Sequence, residues 1–529
     1  CNGTRLNARA NSTLLNGISL STACRMTLDD IVEWIETVPD TLPENMRKMA
    51  DDIIDEFMDD SKVLLDLGLG YICLDRPSNT LSTGELQRVQ LAKTLKNQTT
   101  GVLYVLDEPS IGLHPSNIDG LISVMKRLVG EGNSIVIVDH DTQILKIADH
   151  MIEMGPGAGS NGGNIIAEGS INEIIENDDS LIGGFLSGSE DTIIRDKSLR
   201  SNLFDDGCIE LSTNEVYNVK KMDIRIPKER LTVITGVSGS GKTTLLLECL
   251  YPAVKAMINK DALPTNVNYV DADGVTKIEL IDSVPIGKNV RSTVATYSKV
   301  LDDLRKAFSK LDDSITLNYK ASDFSYNTGK LRCKTCNGTG TVSMDVQFLP
   351  DVEMPCPDCG GRRYSNEADR IKHDGFSIAD IMELTVDEAI DSITLSNRIT
   401  NKLGKLSNLG LGYLTLGEST PSLSGGEAQR LKLASEMGKS QKNSVFIFDE
   451  PSIGLHPLDI KVLLNVFERL IDEHATVIVI EHDLDVIRNA DYIIDMGIDD
   501  DNMGGDIVVS GTLEDVTSCD KSLTANYLK

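Results

Sequence analysis

The segment Gly236-Val-Ser-Gly-Ser-Gly-Lys-Thr243 has the G-x-x-x-x-G-K-[ST] spacing of a phosphate-binding loop. Its residue types dictate its chemistry. Backbone N–H groups from Gly239 to Thr243 can cradle phosphates at a helix N-terminus, because glycines allow close approach and the helix dipole favours negative charge. Lys242 would neutralise the β and γ phosphates, with Gly236, Ser238, Ser240, Gly241 and Thr244 completing the cradle. Thr243 offers a hydroxyl to magnesium, and Asp449, at the end of the apolar run Val445 to Phe448, offers a carboxylate to the same ion. Glu450 is placed as a base or water-orienting group, and His482, just beyond the apolar run Val477 to Ile480, as a γ-phosphate contact.

A second constellation is Cys333-x-x-Cys336, nineteen residues, then Cys356-x-x-Cys359. This is the spacing of a tetrahedral thiolate zinc site, with turn glycines Gly338, Gly340, Gly360 and Gly361 after each pair; two disulfides are the competing reading. Cys24, Cys73, Cys208, Cys249 and Cys519 read as core or surface thiols. Paired cysteines in a long chain favour a reducing compartment, so a cytoplasmic protein is expected.

These residues lie within an internal repeat. Leu81-Ser-Thr-Gly-Glu-Leu-Gln-Arg88 returns as Leu423-Ser-Gly-Gly-Glu-Ala-Gln-Arg430, and Asp107-Glu-Pro-Ser-Ile-Gly-Leu-His-Pro115 as Asp449 to Pro457, both at an offset of 342. His140 maps onto His482 at the same offset. Two homologous units therefore stand in tandem. The chain opens on Cys1, which aligns with Cys359; we expect it to be the last ligand of a first zinc module, with the first unit's own phosphate loop lying before residue 1.

The elements that must position these groups follow from hydrophobic pattern. Leu231 to Thr235 reads as a strand and Lys242 to Leu250 as a helix; residues 44 to 66, after Pro43, read as one amphipathic helix. Val102 to Leu106 and Ser134 to Val138 look like buried strands around a helix near Ile118 to Leu128, a rhythm repeated at Val445 to Phe448, Ile460 to Leu470 and Thr476 to Ile480. The expected class is α/β with a parallel sheet in each unit.

The 529 residues suggest three or four compact units at roughly 150 residues each. Apolar residues at 40% and charged residues at 25% exclude wholesale disorder. No apolar run approaches the ~20 residues that cross a bilayer, which excludes a membrane-spanning transporter. The net charge of −30 argues against diffuse attraction to nucleic acid, so any such contact has to be local.

This set of motifs resembles the ATP-binding cassette (ABC) ATPases, whose Leu-Ser-Gly-Gly-Glu/Gln signature caps the γ-phosphate of the opposing nucleotide-binding domain. The resemblance implies one complete ATP site, in which Gly236 to Thr243, Asp449, Glu450 and His482 face the first unit's Ser82 and Gly84. Ser424 and Gly426, with Asp107, Glu108 and His140, would serve a second site whose phosphate loop precedes residue 1. Thr83 stands where the family has the first signature glycine, and Ser283 where it has the glutamine coupling magnesium to the inserted domain, so slower or differently coupled hydrolysis is expected.

A zinc module between phosphate loop and signature, with Gly-Leu-His-Pro after the catalytic glutamate, is similar to the UvrA family of damage-recognition ATPases. That resemblance implies ATP, magnesium and zinc as cofactors, damaged double-stranded DNA and the next excinuclease subunit as partners, a homodimer, and ATPase rather than nuclease chemistry. It divides the chain into the rest of a first ABC domain (1–190), a linker (191–205), the start of a second ABC domain (206–260), an inserted signature and zinc domain contacting DNA (261–420), and the remainder of the second domain (421–529). From Lys288 to Lys334 ten basic residues stand against five acidic ones, a local +5. Lys288, Arg291, Lys330, Arg332, Arg362 and Arg363 flank the Ser283 loop or the zinc module and are the expected DNA-backbone contacts. A UvrA-like drug self-protection ATPase and a soluble ATPase energising a separate transporter remain alternatives.

Overall fold

A computed structural model describes residues 3–529 apart from 8, 82, 96–99, 158–161, 194, 196–201, 218, 283–285, 287–288, 345–351, 395, 437–440 and 499–503. The second unit is built on a six-stranded sheet. Its order is Lys277–Ile281, Ser444–Asp449, Thr476–Ile480, Leu231–Gly236, Tyr492–Ile498 and Gly504–Gly511. All neighbours pair in parallel except the last two.

The central strands are buried along almost their whole length and mostly apolar, because both faces are covered. Leu231, Val233, Phe446, Phe448, Val477 and Val479 pack on one side, towards the helix Pro457–Asp472. Ile234, Val445, Ile447 and Ile478 pack on the other, against Leu245, Leu246, Cys249 and Leu250. A fully buried Leu or Ile contributes about 1.5–3 kcal/mol, so this double cover anchors the strand ends from which the phosphate loop and Asp449 project.

The expected helix after Lys242 departs from regular geometry. Residues Thr244–Leu250 are π-wound and regular α-helix resumes over Tyr251–Asn259. Pro252 has no N–H to give the carbonyl of Glu248. Asn266 Nδ2 donates to that carbonyl instead, at 2.7 Å.

The first unit has a parallel pair, Leu103–Asp107 with Ser134–Val138, and a hairpin, Met151–Gly155 with Asn164–Gly169. One face of the parallel pair packs on the helix Pro115–Gly130 through Ile118, Leu121, Val124, Met125 and Leu128. The other leaves Leu103, Val105, Val136 and Val138 exposed. These strands read as fully buried from composition, and the structure corrects that: among the described residues no helix covers the second face here, as one does in the second unit. The long helix forms over Glu44–Asp66, opened by Pro43.

Two described residues of the join are fixed against the second unit. Arg195 is buried, with Nη2 2.9 Å from Asp491 Oδ2, and the Thr192 carbonyl accepts from Asn489 Nδ2 at 3.3 Å. The insertion contributes the aromatic residues Phe308, Phe324, Tyr326 and Tyr364 to the same core that covers one face of the sheet. Beside it, the hairpin Thr341–Met344 with Val352–Pro355 links the two cysteine pairs. Among the described residues no helix is long and apolar enough to cross a membrane.

Candidate functional site

The phosphate loop leaves the strand Leu231–Gly236 at a point where only glycine fits. Gly236 has φ +131°, and a Cβ there would lie 1.8 Å from the carbonyl oxygen of Met496 on the adjacent strand. Lys242 is buried inside the loop, and its ammonium donates to the carbonyls of Gly236 and Val237 at 2.9 and 2.8 Å. Burial lowers its pKa to about 8, against the opposing pull of Glu450, Asp495 and Asp449. The Ser240 hydroxyl and His482 Nδ1 are buried without a hydrogen-bond partner. Orphaned buried polar atoms of this kind are uncommon, and two beside a glycine cradle and a lysine suit a polar ligand such as a phosphate ester.

Asp449 ends its strand directly beside Ile480, and Gln429 Nε2 holds its carbonyl at 2.6 Å. Burial first and Asp282 second raise the Asp449 pKa, while Lys242 lowers it. Glu450 follows with φ +48°, a backbone conformation costly for a side chain with a Cβ. Burial, Asp449 and Glu481 raise its pKa to about 7 against the pull of Lys242 and Arg88. His482 Nε2 lies 3.7 Å from Glu450 Oε1; burial and the charge of Lys242 push its pKa well down, so the ring stays neutral. The first unit repeats the arrangement with Glu108 at φ +46° and His140 Nε2 3.8 Å away, the histidine being more exposed than its counterpart.

The two units meet over this site. A Cβ at Gly239 would lie 2.7 Å from Cγ of Tyr71, so the first unit's aromatic ring rests on the phosphate loop. Tyr71 donates its hydroxyl to Glu85 of the signature helix at 2.6 Å, and Arg76 pairs with the same carboxylate at 3.2 Å. Arg88, one helical turn further on, acts electrostatically on Glu450. The glycines of the two Gly-Leu-His-Pro segments cross over: a Cβ at Gly112 would lie 3.3 Å from Glu450 Oε2, and one at Gly454 3.1 Å from Glu108 Oε1. Between them is a cavity of about 160 Å³, lined by Glu108, Asp139 and His140 from one unit and Glu450, Glu481 and His482 from the other.

The expected site residues Gly236, Ser238, Gly239, Ser240, Gly241, Lys242, Thr243, Thr244, Asp449, Glu450 and His482 thus share one strand-end cluster. Ser82 lies outside the described residues; Thr83 and Gly84 open the signature helix Thr83–Leu95. Ser424 and Gly426 sit at the start of the helix Gly425–Glu436, where the Ser424 N–H donates to Glu427 at 2.7 Å. Sequence reasoning missed Tyr71 and Arg88 as site residues. The repeat carried the signal, since the same offset puts Tyr413 at Glu427, its hydroxyl donating as Tyr71 does to Glu85.

All four cysteines of the insertion are buried with their sulfurs within 4.8 Å of one another. The Cys333–Cys356 and Cys336–Cys359 separations are 3.8 and 3.7 Å. A disulfide needs about 2.05 Å, whereas zinc–thiolate bonds of about 2.3 Å give a tetrahedron with edges of about 3.8 Å. The residues therefore fit a zinc ion, with Cys336 also accepting the Gly340 N–H at 3.4 Å. Cys1, the expected remnant ligand of another module, lies outside the described residues.

The expected DNA contacts divide. Lys330 is exposed, Arg291 donates to the Asn337 carbonyl on the zinc loop at 3.0 Å, and Arg332 donates to Asn327 at 3.1 Å. Lys288 and Ser283 lie outside the described residues. Arg363 is buried: its guanidinium lies 5.4 Å over the Tyr326 ring and donates to the Val290 carbonyl at 2.9 Å, so it faces the interior rather than a phosphate. Arg362 is likewise engaged internally, with Asp369, Asp380 and Glu383 around it. Both arginines brace the module, because a guanidinium offers several donors in a fixed fork and these neighbours accept from them.

No protein-family model matches the chain. Along its whole length it is 40% identical to UvrABC system protein A of Staphylococcus aureus (strain MRSA252), of which it covers 56%, and to that of Aquifex aeolicus, of which it covers 57%. The crystal structure of UvrA2 from Deinococcus radiodurans superposes over all of this chain with a TM-score of 0.91 at 36% identity, with 65% of that chain covered. The chain thus spans little more than half the length of the curated relatives it matches.

Proposed function

The chain belongs to the UvrA family, and on that premise we propose that it binds and hydrolyses ATP between its two units and uses that cycle to grip damaged double-stranded DNA in nucleotide excision repair. The observation that carries the reading is the seam at which Tyr71 rests on Gly239 and Arg88 faces Glu450. A nucleotide on Lys242 would be enclosed by both halves of a single chain.

Lys242 exchanges its two loop carbonyls for phosphate oxygens, and the loop N–H groups hold the rest of the triphosphate. Thr243 and Asp449 would hold magnesium, which supplies charge neutralisation between the β and γ phosphates. Glu450, once ionised, accepts a proton from water as the water oxygen bonds to phosphorus and the bond to ADP breaks. His482, neutral and beside Glu450, orients that water or the γ-phosphate. The four cysteines would hold zinc, which would contribute folding energy to the module.

Arg291, Lys330 and Arg332 beside that module meet DNA phosphates, which positions the protein without reading bases. Damage is then sensed as ease of bending or unwinding, and nucleotide state shifts the insertion between grips. A homodimer, an excinuclease partner subunit and a cytoplasmic setting complete the proposal. An ATPase subunit energising a membrane transporter would leave the zinc module without a task. The test is the steady-state ATPase rate of folded, zinc-loaded protein with no DNA, intact duplex and lesion-bearing duplex. A rate that responds to lesion-bearing duplex supports the reading, and one indifferent to both duplexes sinks the repair assignment.

A further inference from the structure

We infer that the C-terminal tail latches the first unit onto the ATP site through a hydrogen-bond chain, His114 to Thr524 to Asp495, and that this latch is built at only one of the two seams. The inference deepens the ATPase reading and rests on it for its kinetic consequence.

His114 is fully buried and caps the helix Pro115–Gly130 of the first unit. The backbone N–H of Ser116 donates to its Nδ1 at 3.2 Å, so Nδ1 is an acceptor and the ring proton sits on Nε2. Nε2 lies 3.1 Å from Thr524 Oγ1, and Thr524 in turn donates to Asp495 Oδ1 at 3.0 Å. Ser522 donates to the other oxygen of Asp495 at 2.6 Å. Asp495 pairs in register with Thr235 on the strand that launches the phosphate loop, and its charge acts on Lys242. The far edge of the chain meets the other catalytic group, since the His114 and His482 rings pack edge to face with centroids 5.9 Å apart. Tyr527 reinforces the seam by donating to Asp119 at 2.7 Å.

The repeat offset exposes the asymmetry. His456 holds its Nδ1 in the same way, accepting the Leu458 N–H at 3.2 Å, and its ring faces His140. The positions equivalent to Thr524 and Asp495, however, are Ile182 and Glu153. The Ile182 side chain can neither accept nor donate a hydrogen bond, and Glu153 accepts from the backbone N–H groups of Leu181 and Ile182 instead. Tyr527 and Asp119 are replaced by Phe185 and Lys461, a cation 4.7 Å over a ring. One scaffold therefore carries a directional polar relay at the Lys242 seam and, at the other, a lysine held over a ring and 3.6 Å from the Glu190 carboxylate. Thr524 acts as a positioning residue, fixing the His114 ring that backs His482.

The experiment uses the full chain with Thr524→Val and Thr524→Ser. Losing one buried hydrogen bond to a positioned ring should lower kcat roughly 5- to 10-fold, with KM for ATP within about twofold because the phosphate loop is untouched. Thr524→Ser keeps the hydroxyl and should restore the rate. A kcat for Thr524→Val equal to wild type, or a serine variant as slow as the valine one, overturns the latch. With seven histidines in the chain, ¹⁵N-histidine spectra read the ring directly. Wild type should show His114 as the Nε2–H tautomer, and Thr524→Val should shift that nitrogen. A His114 protonated on Nδ1 overturns the latch even in protein that binds no ATP, whereas absent ATP binding with the expected tautomer refutes the ATPase reading alone.

Discussion

Replacing Glu450 by Gln should make the protein more stable and stop its turnover. The carboxylate lies between Asp449 and Glu481, and its pKa rises from the usual 4.5 to about 7 through burial and those two charges. A group with a raised folded-state pKa favours folding fully below its unfolded value, and that contribution is lost as pH climbs through the folded value. Here the window runs from about 4.5 to about 7. Above it wild type carries a penalty of about 3 kcal/mol at 1.36 kcal/mol per pKa unit. The side chain is 29% exposed to the cleft, and solvent screening there reduces the figure to roughly 2 kcal/mol. Gln carries no such penalty. The melting temperature of Glu450→Gln should therefore match wild type near pH 4 and exceed it by several degrees at pH 8, at about 2–4 °C per kcal/mol for a unit of this size. Turnover should fall about 10²- to 10⁴-fold, the usual contribution of a general base, with ATP still bound. Wild-type kcat should rise with pH through about 7 as Glu450 ionises. Differential scanning fluorimetry across pH 4–8, paired with a phosphate-release assay, reads both effects. Parallel melting curves for the two proteins would refute the burial argument, and undiminished turnover would remove Glu450 from its role.

Lys242→Ala should abolish binding of a fluorescent ATP analogue, and wild-type affinity should weaken above pH 8 as the lysine, with its pKa lowered to about 8 by burial, loses its charge. Cys356→Ser should release the metal and unfold the module locally; metal content by atomic absorption should drop while ATP affinity stays within twofold, since the cysteines lie on a separate insertion. Arg363→Ala should lower thermal stability because it removes buried donors to Val290 and Gly417. By contrast, Arg291→Ala and Lys330→Ala should leave stability alone and each flatten the slope of log affinity for duplex against log salt by about 0.9, one phosphate contact apiece.

Local chemistry was legible from the chain itself. The phosphate loop needs glycines at fixed places, a thiolate tetrahedron needs two tight pairs, and a buried parallel strand needs unbroken apolar runs, so Gly236 to Thr243, the four cysteines and Thr476 to Ile480 declared themselves by type and spacing. The repeat offset even supplied the pairing of motifs. What no spacing could show was which groups confront each other across the seam, because facing residues belong to segments hundreds of positions apart. Tyr71 on Gly239, Gly112 against Glu450, and His114 tied to Thr524 depend on how two sheets dock. Charge was misleading for a related reason: Arg362 and Arg363 count as positive in any sequence tally, but folding surrounds one with carboxylates and buries the other on carbonyls. Composition records how many charges a chain has, and only packing decides which of them water or a phosphate can reach.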